Sequence, residues 1–131
     1  PETPKEWEQE LKNVTSKAIE ILNQKPDLLC MVYSLLDRIQ HFHWGEPIVL
    51  EWYKKVDSVL WELISYSEKS IIISDHGFCN RGEAEIKTLP ERTPKGEIKG
   101  DHNNEAILIT INIKHEINKL QDVFYAIRGE I

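Results

Sequence analysis

The 131 residues give room for one domain with a respectable core, but not for a large α/β enzyme. Sixteen basic residues against 22 acidic ones leave a net charge of −6 spread along the chain, which argues against a nucleic-acid polymer, whose backbone demands clustered Lys and Arg. The longest apolar runs, residues 28–32 and 71–73, fall far short of the roughly 20 residues a membrane-spanning helix needs, so no membrane role is expected.

The opening residues, Pro-Glu-Thr-Pro-Lys-Glu, carry no signal-peptide pattern and no initiator Met. The chain is therefore expected to be an internal or C-terminal piece of a longer protein, located in the cytoplasm. Residues 4–24 set Trp7, Leu11, Val14, Ala18, Ile21 and Leu22 on one face at helical spacing, and Pro26 ends the pattern. Residues 28–36 are almost continuously apolar and predict a strand buried on both faces, with a loop over 37–46. Pro47 suits the first turn of a helix, and Val49, Leu50, Tyr53, Val56, Leu60 and Leu63 continue it to about Ser67. Trp44, Trp52 and Trp61 are expected to serve core and helix packing.

Residues 71–73, three isoleucines, predict a short strand. Residues 75–104 mix glycine, proline and charge without a sustained period, which at this length marks a functional or mobile segment. Residues 106–111 predict a third strand, and 117–128 a last helix with Leu120, Val123, Phe124 and Ile127 facing inward. The succession predicts a single α/β domain over residues 1–131, a partial and mostly parallel sheet flanked by helices. Three strands make a narrow sheet whose open edges invite self-association. Cys30 and Cys79 suggest no disulfide framework and read as reduced thiols.

Ligands gather where parallel strands end, and two of the predicted strands end on acidic residues. The first runs into Asp37, with His41 four residues on; the second runs into Ser74-Asp-His-Gly77. Carboxylate and neutral imidazole are the ligands of zinc-like or manganese-like ions. Two carboxylates opening on one sheet edge would repel each other without a cation between them. A lone Asp at a strand end is more often a turn or cap, and Asp37 with His41 could equally be an exposed helical pair. His43 reads as packed or at a rim, and His115 as solvated.

The segment Asp27 to Trp44 resembles the strand and Asp-x-x-x-His element of type I phosphodiesterases and nucleotide pyrophosphatases, within the alkaline phosphatase superfamily. Ile73-Ser-Asp-His-Gly-Phe78 is similar to the family's Ser-Asp-His-Gly motif, and Gly100-Asp-His102 to its Gly-x-His element. The resemblance implies that Asp37, His41 and His102 hold one divalent ion, and Asp75 and His76 a second. Zinc is the expected metal, with manganese the alternative. It also implies an alkaline-phosphatase-like fold of which this chain is the C-terminal portion, with a Thr or Ser nucleophile and a further Asp that these residues do not supply. The implied substrate is a small phosphate ester or diester. Segment 77–105 would form a flap, where Arg81, Arg92 and Lys95 are candidate substrate contacts. Because His102 lies close to the start of the third strand, that strand must run antiparallel to the others, or the loop before it must fold back, for His102 to meet Asp37. A non-catalytic metal-binding or interaction module, and phosphatase, sulfatase or phosphoglycerate-mutase chemistry, are the alternatives.

Overall fold

The computed structural model describes residues 2–130. Helix α1 (Pro4–Leu22) starts at a capping box: the Glu6 amide donates to the Thr3 hydroxyl, and the Glu6 carboxylate accepts from the Thr3 backbone. Helix α2 (Leu35–His43) and helix α3 (Pro47–Ile64) follow, joined by a tight turn at Gly45, whose φ of +82° suits glycine. The three helices enclose the main core, built from Trp7, Leu11, Leu35, Ile39, Val49, Trp52 and Val56. Trp7 and Trp52 meet edge to face, 5.5 Å between ring centroids.

The expected strand over 28–36 does not form. Residues 24–34 are irregular, Cys30 is exposed, Val32 is 83 % exposed, and Leu35 already belongs to α2. A strand needs a neighbour to take its N–H and C=O groups, and no strand among the described residues lies beside this run. What reads as one apolar block is a solvated connection followed by a helix that buries Leu35 and Ile39, four residues apart.

The remaining chain is a set of nested hairpins. Strand β1 (Ser70–Ile73) pairs with β6 (Leu108–Ile111), β2 (Gly77–Asn80) with β5 (Gly100–Asn103), and β3 (Arg92–Thr93) with β4 (Gly96–Glu97). All three pairs are antiparallel, so the mixed α/β content is as expected but the mostly parallel sheet is not. The reason is connectivity. A parallel pair needs a crossover, usually a helix, and no helix lies between residues 70 and 111. The antiparallel last strand, one of the two ways for His102 to reach Asp37, is observed.

Helix α4 (Leu120–Glu130) closes the chain, tied to the start of β1 by a Lys69–Glu130 ion pair at 2.7 Å. Its expected inward face is only partly so: Val123 and Ile127 are half-buried, but Leu120 is 77 % exposed and Phe124 also faces out, while Ala126 is buried. Trp61 is likewise exposed rather than packed. Among the described residues, no helix is long and apolar enough to cross a membrane.

Candidate metal centre

The cluster forms where α2 meets the β2–β5 hairpin. Asp37 and His41 are one helical turn apart on α2, so they share a face; they do not follow a strand end, as the sequence suggested. His76 immediately precedes β2. His102 lies on β5 in register with Phe78, and that register carries it back over α2.

Two glycines permit this approach. A Cβ on Gly100 would lie 2.6 Å from the Gln40 carbonyl oxygen and 2.8 Å from Trp44 Cβ, so only glycine lets β5 press onto the end of α2. The contact is then fastened by the Lys99 N–H donating to the His41 carbonyl at 2.7 Å. The missing Cβ of Gly77 makes way for the Glu105 carbonyl oxygen, which would be only 2.0 Å distant.

One carboxylate oxygen stands at the centre. Asp37 Oδ1 lies 3.2 Å from His102 Nε2, 3.5 Å from His76 Nε2 and 3.6 Å from His41 Nε2, and His41 and His102 present their Nε2 atoms to each other at 3.2 Å. The Nδ1 of His41 faces the Gly100 carbonyl at 3.0 Å and that of His76 faces the Gly77 carbonyl at 3.1 Å. A carbonyl only accepts, so in both rings Nδ1 carries the hydrogen, and in the neutral ring Nε2 turns a lone pair toward Asp37. The His76 and His102 rings are stacked with their centroids 3.4 Å apart. One proton cannot bridge a carboxylate and three imidazoles together. A divalent cation can, and backbone carbonyls that fix the tautomer of a liganding histidine are its usual support.

The ligand atoms of Asp37, His76 and His102 lie within 4.8 Å of one another, as do those of His41, Asp101 and His102. In the second group Asp101 is already engaged: its carboxylate accepts from Arg81 Nη1 at 2.7 Å and from the Thr88 hydroxyl at 2.6 Å. Burial pushes the Asp101 carboxyl up, but the Thr88 hydroxyl, two backbone N–H groups and Arg81 outweigh it and hold the group below its usual range. Asp37, His41, His76 and His102 are therefore the side chains whose chemistry fits cation binding here. Asp75 is the outlier, with its side chain 91 % exposed and Oδ1 3.5 Å from His76 Nε2. Burial, then Glu83 and Asp101, push the Cys79 thiol up.

The candidate substrate cations fare differently. Arg81 is committed to Asp101, Lys95 reaches Glu2 at 3.4 Å, and Arg92 is exposed on β3. Sequence reasoning gave no role to Gly100, Asp101 or Thr88. Gly100 and Asp101 were visible inside the Gly-Asp-His element, but nothing in the sequence signalled Thr88. His43 packs edge-on against Trp7 at 5.5 Å, and His115 is exposed, as expected.

A family model described as type I phosphodiesterase / nucleotide pyrophosphatase matches residues 3–124. No curated protein and no solved structure matches the chain.

Proposed function

The chain belongs to the type I phosphodiesterase / nucleotide pyrophosphatase family, and from that premise we propose that it is the metal-liganding part of a two-metal phosphoric-ester hydrolase. Asp37, His41 and His102 would hold one divalent ion, Asp75 and His76 the other, with zinc favoured over manganese for this imidazole-rich set. The observation that supports this best is the single Asp37 oxygen facing three imidazole Nε2 atoms, two of them in rings whose Nδ1 is committed to a carbonyl. When bound, such an ion pair stabilises the attacking and leaving oxygens of a phosphoryl transfer. The chain's own residues contribute holding and orientation: Gly100 and Gly77 fix the two carbonyls that set the imidazole tautomers. The substrate is a small phosphate ester or diester, nucleotide-like in class.

The nucleophile, a Thr or Ser in this proposal, comes from outside these 131 residues. Among the described residues, no Ser or Thr hydroxyl is hydrogen-bonded to a cluster side chain. The nearest in sequence, Ser74, accepts the Ile107 N–H at 2.9 Å, and Thr88 is spent on Asp101. The same observation favours a second reading, a non-catalytic metal-binding module that pairs with another copy through the open edges of β1 and β6.

Zinc or manganese titration followed by elemental analysis tests the metal assignment. The chain is expected to bind, and Asp75→Asn combined with His76→Ala to bind more weakly; full-strength binding by the double variant contradicts the assignment. Turnover of a chromogenic phosphodiester by this chain alone is expected to be negligible. Robust hydrolysis by a homogeneous sample would place a nucleophile within these residues.

A further inference from the structure

Beside the cluster, Asp101 is completely buried and has no free face. Its Oδ1 accepts the Thr88 hydroxyl at 2.6 Å and the His102 N–H at 3.0 Å, Oδ2 accepts Arg81 Nη1 at 2.7 Å, and the Thr88 N–H is shared between the two oxygens at 3.2 and 3.3 Å. A carboxylate so fully supplied with donors has no lone pair left for an ion, although it lies within ligand distance of His41 and His102. Its partners come from two places: Arg81 and Thr88 from the loop after β2, and His102 from β5 itself.

We propose that Asp101 is the positioning residue of the metal cluster, acting through His102 rather than on the ion. This rests on the metal reading above. The carboxylate fixes the peptide between residues 101 and 102 through the His102 N–H and clamps the loop over 81–88 against β5. The register Cys79 to Asp101 and Phe78 to His102 is held by that clamp, and it delivers His102 Nε2 to Asp37 and His41. An asparagine cannot replace it. Its amide oxygen can still accept from Thr88 and His102, but its NH₂ then faces the Arg81 guanidinium, donor against donor.

The test is cobalt(II) titration of the whole chain, read by the visible spectrum of the bound ion and by the dissociation constant, for wild type, Asp101→Asn, Thr88→Val and Thr88→Ser. Outer-shell losses typically weaken metal affinity about 10- to 100-fold. Asp101→Asn is expected to show such a loss with an altered cobalt spectrum, Thr88→Val a smaller one, and Thr88→Ser, which keeps the hydroxyl, wild-type behaviour. A folded Asp101→Asn with wild-type affinity and spectrum overturns the positioning role alone. Abolished binding in Asp101→Asn beside unchanged binding in Thr88→Val makes Asp101 a ligand, which also overturns it. Should Asp101→Asn not fold, Thr88→Val decides: weakened binding supports the role, unchanged binding refutes it. No binding by wild type overturns the metal reading and this inference together.

Discussion

The two halves of the molecule are held together by different physics. Helices α1 to α3 bury two tryptophans and a set of aliphatic side chains in one contiguous core. The nested hairpins and α4 leave Ile73, Ile107, Leu108, Ile109, Leu120 and Phe124 exposed, and rely instead on ladders, the Lys69–Glu130 ion pair and the Arg81–Asp101 clamp. A buried ion pair offsets much of its own gain with desolvation, whereas a fully buried large apolar side chain contributes roughly 1.5–3 kcal/mol. Stability should therefore be concentrated in the helical half. The cluster sits on the seam, with Asp37 and His41 from the stable side and His76 and His102 from the weak one. A bound ion would staple the hairpins to the helices.

That contrast can be broken first at the core. Trp52→Ala is expected to cost about 3–5 kcal/mol and to unfold both halves together, as read by urea denaturation followed by circular dichroism. A small loss confined to the helices would mean that the hairpins fold independently. At the seam, Gly100→Ala must push β5 away from Gln40 and Trp44, at a cost of about 1–3 kcal/mol, and should also weaken zinc binding. Loss of stability with intact zinc affinity would detach the glycine from the site.

The ion itself gives the next test. Free zinc at 100 times its dissociation constant should stabilise wild type by about 2.7 kcal/mol, and Asp37→Asn by far less. Equal stabilisation of both would move the ion away from Asp37. The smallest expected effect is at the start of α1. Thr3→Ala removes the capping box for about 1 kcal/mol without touching zinc affinity, and a change in affinity there would show that the halves are coupled more tightly than the seam alone allows.

Much of the helical half was legible because its signals are local. Pro47 marks a helix start, and the stripes through Trp7 and Val56 have the helical period. The run over 28–36 misled because apolarity alone cannot distinguish a strand from an unpaired connection; the deciding fact, a neighbouring ladder, is non-local. The parallel sheet failed for a similar reason, since short strands of like composition do not announce their direction. In the candidate site, residue types at short spacing were readable: Asp37 with His41, and Asp75 with His76. Their convergence was not, because it depends on a missing Cβ at Gly100 and on a hairpin register fixed some 60 residues downstream of α2. Arg81 misled as well: a basic residue in a loop reads as a ligand contact until its buried carboxylate partner is located.

The central claim is that Asp37 and three imidazoles are metal ligands, Asp37, His41 and His102 of one cation and His76, with Asp75, of the other. Long-range proton–nitrogen correlation spectra of the histidine rings during a zinc titration test it most directly. The account predicts that Nδ1 of His41 and of His76 carries a hydrogen before zinc is added, and that the Nε2 resonances of His41, His76 and His102 shift as zinc binds. His41 or His76 protonated on Nε2 before zinc, or Nε2 resonances that zinc leaves unmoved, would contradict it.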